Sequence, residues 1–141
     1  MIALRATILA LSLAAIAACD DDDDDPVQPR TLSCEATLEP VEGVTTDATG
    51  TATFDVTGTT MVWEVISTGL VDVTAAHIHE ADESLLVPAV GSFPLSETGS
   101  GEGTMTVTED QLDLIEAGGT YFDIHTEANE DGEIAGDLIC D

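Results

Sequence analysis

His77, His79 and His125 are the only three histidines in a chain of 141 residues. The first two lie in Ala75-Ala76-His77-Ile78-His79-Glu80, and the third follows an aspartate in Tyr121-Phe122-Asp123-Ile124-His125-Thr126. Alternate side chains on a β-strand share a face, so His77 and His79 point the same way. If Ala76, Ile78, Phe122 and Ile124 take the core side, the opposite faces carry His77 and His79 on one strand and Tyr121, Asp123 and His125 on the other. Should the two strands be neighbours, three imidazoles converge on one outer surface beside Asp123. Imidazole nitrogen ligates Cu, Zn, Ni or Fe, and three histidines with an open position make a reactive site rather than a closed structural one. Copper is the first expectation and zinc the second. Asp123 would be a fourth ligand or would orient a ligand through its second ring nitrogen. The competing reading is a set of imidazoles that hydrogen-bond neighbouring strands and bind nothing.

Other chemistries are poorly served. Without lysine no phosphate-cradling Gly-x-x-x-x-Gly-Lys loop exists, and no serine stands in a Gly-x-Ser-x-Gly setting. Glu127-Ala-Asn129-Glu-Asp131-Gly132 partly mimics a calcium loop, but it starts with Glu and its twelfth position is Leu138, so a hairpin turn explains it better. Lys+Arg number 2 against 29 Asp+Glu. Nucleic-acid binding requires clustered cations and is excluded; cationic partners, metal ions among them, are favoured.

The start of the chain reads as targeting rather than structure. Arg5 gives a short positive end, residues 6–18 are an apolar run interrupted by Thr7 and Ser12, and Ile16-Ala17-Ala18-Cys19 resembles the lipobox of bacterial lipoproteins. The apolar run is too short to span a membrane as a helix. The resemblance implies cleavage before Cys19 and a diacylglyceryl anchor on it, placing the protein in the bacterial cell envelope, periplasmic or surface-exposed. Residues 20–25 are six consecutive aspartates, followed by Pro26-Val-Gln-Pro29, a hydrated and stiffened tether. The organisation expected is a leader over 1–18, a tether over 19–30 and one domain over 31–141. Cys34 and Cys140 bracket that domain, and in an exported protein such a pair reads as a disulfide.

The elements that must position the histidines are short strands. Period-two alternation marks 31–38, 49–56, 60–66 and 74–80, with Thr57-Gly58-Thr59 as a tight connection. Pro88 and Pro94 demote 85–95 to an edge strand or loop. A short strand over 104–107 precedes Thr108-Glu109-Asp110-Gln111, a capping box, with Leu112, Ile115 and Leu114 on the apolar side of one helix that Gly118-Gly119 ends. Residues 120–126 and 133–140 form a terminal hairpin across 129–132. Trp63 shares parity with Met61 and Val65 and is expected in the core. The fold class is all-β: a Greek-key-like β-sandwich or flattened barrel of seven to eight strands with one short helix.

The stretches Ala75-Ala76-His77-Ile78-His79, Tyr121-Phe122-Asp123-Ile124-His125-Thr126 and Asp131-Gly132-Glu133-Ile134-Ala135-Gly136-Asp137-Leu138 resemble the CHRD domain, the module repeated in chordin and found singly in many bacterial exported proteins. The likeness runs from about Cys34 to Cys140. It departs at Ala135, where the family often has Arg. It implies an extracytoplasmic all-β domain and leaves the biochemical role open. His77-Ile78-His79-Glu80 also looks like the His-Val-His-Glu element of copper/zinc superoxide dismutases, a likeness of a few residues. Those enzymes hold copper with four histidines beside an arginine. Here there are three histidines, and the only arginine beyond the leader, Arg30, lies at the tether. The leading expectation is therefore a non-catalytic, lipid-anchored metal-binding domain. A copper-dependent dismutase-like oxidoreductase and a structural or adhesive surface module are the alternatives. Cys19→Ala is expected to shift the protein from the membrane fraction to a soluble or unprocessed form on cell fractionation; unchanged membrane retention contradicts lipidation.

Overall fold

Buried and exposed side chains alternate without a break along the first two hairpin-linked strands, and that alternation sets which face closes on the core. The computed structural model describes residues 28–88 and 92–141. The expected leader, Cys19 and the aspartate run lie outside the described residues. Strands β1 (Thr31–Pro40), β2 (Thr49–Thr57) and β3 (Thr60–Thr68) form an antiparallel meander. The register puts Cys34 opposite Phe54 and Phe54 opposite Trp63, so one inward row crosses all three strands. The two-residue turn between β2 and β3 places Gly58 at φ 61°, a conformation natural to glycine.

The remaining strands are β4 (Val73–Glu80), β5 (Leu85–Val87), β6 (Gly101–Thr106), β7 (Thr120–Thr126), β8 (Ile134–Asp137) and β9 (Ile139–Cys140). They extend the meander into one curled antiparallel sheet in the order β5-β4-β7-β8-β1-β2-β3-β6, with β9 also on β1. The segment from Ser92 to Ser100 crosses from one end of this sheet towards the other. It is tied to β4 by Ser92 Oγ accepting from Ala76 N (2.7 Å) and by Phe93 N donating to Ala76 O (3.0 Å). At its far end Ser67 N, on β3, donates to Ser100 Oγ (3.0 Å). The curl is thereby fastened around a core in which Phe93 meets Phe54, Phe122 and Trp63 edge-on at centroid distances of 5.8, 5.3 and 5.3 Å. Trp63 is buried, as its parity predicts.

The helix α1 (Glu109–Ala117) starts at the predicted capping box, with Thr108 and Gln111 exchanging both bonds. Gln111 Nε2 also donates to Leu86 O (2.6 Å), fastening the helix to β5. Leu112 and Ile115 are buried; Leu114, expected beside them, faces outward because one helical face suffices to cover the sheet end. Arg30 reaches three exposed acids of α1, Glu109, Asp113 and Glu116. The pairs are solvated and worth little individually.

The all-β class with one short helix is as expected, and the continuous curl is nearer to the flattened barrel than to two separate sheets. Two elements differ in extent. The strand expected over 104–107 begins at Gly101, pairing with β3 from Val65. The strand expected over 133–140 breaks at buried Leu138. Up to Asp137 it lies between β7 and β1; after the break Cys140 lies opposite Cys34 on β1, and the two are joined as a disulfide. The break falls where Leu138 is buried and its N–H donates to Thr120 O (2.9 Å). The bridge spans 106 residues, and in the chain-entropy account closing so long a loop stabilises by about 4–5 kcal/mol. Replacing both cysteines with serine is expected to lower the unfolding free energy by that order in urea titrations; a change below about 1 kcal/mol contradicts it.

Candidate metal centre

β4 and β7 are adjacent and antiparallel, and their register decides the site. His77 stands opposite Asp123, His79 opposite Tyr121, and His125 opposite Ala75. Ala76, Ile78, Phe122 and Ile124 are fully buried beneath them. The inward residues thus fix the outward row by parity, and Asp123 lies among the three imidazoles, across from one and next but one or diagonal to the others.

Each of the four side chains offers one donor atom, a ring nitrogen from each histidine and a carboxylate oxygen from Asp123, all within 4.8 Å of one another. Asp123 Oδ1 is 3.1 Å from His125 Nε2, 3.3 Å from His79 Nε2 and 4.0 Å from His77 Nδ1. His77 Nδ1 is 3.3 Å from His125 Nε2. Around a tetrahedral ion with bonds near 2.0–2.1 Å, donor atoms lie about 3.3 Å apart, so these separations leave room for one ion.

The far sides of two rings are held. His79 Nδ1–H donates to Glu83 O (3.1 Å) and His125 Nδ1–H to Glu130 O (2.9 Å). Each bond selects the tautomer whose Nε2 lone pair faces the cluster. Yet His79 Nε2 and Asp123 Oδ1, both shielded from solvent and 3.3 Å apart, find no hydrogen bond, since Nε2 carries a lone pair in that tautomer. Buried polar atoms without partners are uncommon, and two aimed at one point are suited to an ion. Tyr121 stacks on the His79 ring (centroids 5.2 Å, planes 13° apart) and limits its rotation.

The electrostatics run in the same direction. Close pairing with the Asp123 carboxylate raises the His125 pKa above its ordinary 6.5, against the opposing effect of burial. Burial first, then the charges of Asp123, Glu83 and Asp82, push Tyr121 up. A cleft lined by Glu83, Glu130 and Asp131 opens beside His79 and His125. Ala135 lines the same cleft and stands opposite Asp123 on β8. The position where the sequence departs from the resemblance is therefore a neighbour of the cluster, and alanine there brings Asp123 no positive charge.

The four side chains that sequence reasoning singled out are the ones the fold brings together. That reasoning missed the carbonyls of Glu83 and Glu130, which no side-chain pattern announces, and the buried carboxylate of Glu133. Thr126 Oγ1 (2.6 Å), Asn129 Nδ2 (3.0 Å) and Thr46 Oγ1 (2.8 Å) all donate to Glu133. Burial opposes its charge, but these bonds prevail and hold its pKa below the ordinary 4.5. The part-calcium-loop pattern over 127–132 is a hairpin connection whose Asn129 serves Glu133.

The arrangement defines a class: a disulfide-closed, curled antiparallel β-domain with a histidine–carboxylate cluster on its outer face. A family model for the CHRD domain matches residues 32–138, and the chain belongs to the CHRD domain family. No curated protein and no solved structure matches it.

Because Glu133 is a stronger acid folded than unfolded, its contribution to stability is present above pH about 4.5 and is lost as pH falls through its depressed pKa. Between pH 6 and 3 the urea midpoint of the wild type is expected to fall more steeply than that of Glu133→Gln. Parallel curves contradict the assignment.

Proposed function

We propose that this CHRD domain binds one divalent transition-metal ion through His77, His79, His125 and Asp123, without catalysing a reaction, and serves to store, scavenge or deliver that ion at the cell envelope. The observation that carries this reading is the convergence of four donor atoms within 4.8 Å, two of them lacking any other partner. Carbonyls already hold the ligating tautomers of His79 and His125. Three nitrogens and one carboxylate oxygen gathered this closely suit copper(II) and zinc(II) alike. Copper remains the first candidate and zinc the second; zinc, which has no redox chemistry, is the simpler probe.

A dismutase-like reaction is disfavoured by the acids Glu83, Glu130 and Asp131 along the cleft, which attract cations and repel an anionic substrate. The lipobox resemblance supports anchoring through lipid on Cys19, with the acidic segment as the spacer. Membrane contact would then be through that lipid and not through the acidic domain.

Calorimetric titration of the metal-free, full-length protein at neutral pH is expected to give one zinc site per chain. Removing a ligand in His79→Ala or His125→Ala should weaken binding beyond the 10–100-fold typical of losing an outer-shell partner. Copper(II) is titrated in parallel. No binding of either ion tighter than about millimolar overturns the proposal. Affinity should also drop as pH falls through the raised His125 pKa, since protons and the ion compete for the same lone pair.

A further inference from the structure

The Asp131-Gly132-Glu133 stretch contributes no donor to the cluster, yet Glu133 is only 7% exposed and is fully engaged in hydrogen bonds. Its Oε2 accepts from Thr126, the last residue of β7, and from Asn129 in the β7–β8 connection, and its Oε1 accepts from Thr46 in the β1–β2 loop. Its backbone completes the brace: Glu133 N donates to Ile124 O (2.8 Å), and Val41 N donates to Glu133 O (3.0 Å). One side chain therefore ties two loops that flank the cluster. Val41 lines the cleft from one loop, and Glu130 from the other supplies the carbonyl that holds His125 Nδ1. His125 immediately precedes Thr126, one of the three donors.

We infer that Glu133 is a positioning residue for the metal centre: it fixes the β7–β8 connection so that the Glu130 carbonyl holds His125 in its ligating tautomer. The inference rests on the metal-binding reading for its consequence and stands on the hydrogen-bond geometry for its cause. Thr46 donates to one carboxylate oxygen and Thr126 and Asn129 to the other; a neutral amide at 133 loses the charge assistance of all three bonds and puts a donor in place of one acceptor oxygen, so at least one bond must be remade with its direction reversed. Releasing the connection lets the Glu130 carbonyl move, and His125 Nε2 is no longer reserved for an ion.

Two measurements on the full-length protein test this. In metal-free protein above the His125 titration, nitrogen-15 NMR of the ring should show His125 as the Nδ1–H tautomer in the wild type and as a mixture with Nε2–H in Glu133→Gln. Zinc affinity should fall about 10–100-fold in the variant. Thr46→Val, which removes a single donor, should move both readouts in the same direction but less, and it carries the test if Glu133→Gln does not fold. A variant that loses thermal stability but keeps the wild-type tautomer and zinc affinity overturns the inference, leaving Glu133 a purely structural brace. A wild type that fails to bind zinc or copper, with the tautomer still shifting in the variant, overturns the metal reading and leaves the positioning role standing.

Discussion

Asp123 is a carboxylate with 6% of its side chain exposed, set among three imidazoles. Removing an ionised carboxylate from water is costly unless charge or hydrogen bonds replace the solvent. Here the nearest atoms are ring nitrogens, and the tautomers selected at His79 and His125 turn lone pairs, not N–H groups, towards it. Without a cation, the acceptors His79 Nε2 and Asp123 Oδ1 would face each other with no proton between them. A proton on His125 relieves part of the charge of Asp123, which is why its pKa rises. A metal ion, as proposed, would satisfy both acceptors at once.

The rest of the domain keeps this conflict in place. The core holds β4 and β7 rigidly from beneath through Ala76, Ile78, Phe122 and Ile124. A slip of one residue in either strand would bury the histidines and expose the isoleucines, so the apolar pattern locks the register that forms the cluster. The chain segment carrying Phe93 completes the core and ties the curl shut. The disulfide secures β9 on β1 and keeps the neighbouring end of β8 from peeling away. In that strand Gly136 passes so close to β1 that a β-carbon would overlap the Thr37 carbonyl. On its other side the β7–β8 register sets Ala135 beside Asp123.

Charge adds selectivity without adding structure. The described acids of the cleft, Glu83, Glu130 and Asp131, raise the local concentration of cations, and Ala135 leaves Asp123 free of a competing guanidinium. Arg30, the single Lys or Arg among the described residues, is engaged with α1 instead. On the proposed reading, an ion would meet an attractive field on approach and donors lacking other partners on arrival.

Much of this was legible from residue order. Period-two alternation gave the inward and outward faces of the strands, and the capping box gave the start of the helix, because both are local rules of backbone geometry. The same parity selected His77, His79, Asp123 and His125 as outward-facing. The spacing of Cys34 and Cys140 suggested their bridge. Parity does not say which strands are neighbours, however. The histidine pair and His125 are more than forty residues apart, and only the tertiary fold pairs His77 with Asp123. Leu114 turned out and the last strand broke at Leu138, since helix coverage and the two partners of the terminal segment are settled by packing. The carbonyls of Glu83 and Glu130 and the brace at Glu133 likewise depend on loops whose paths no short-range pattern encodes. Residue sequence determined which side chains face out together; long-range strand pairing decided that they meet around one point.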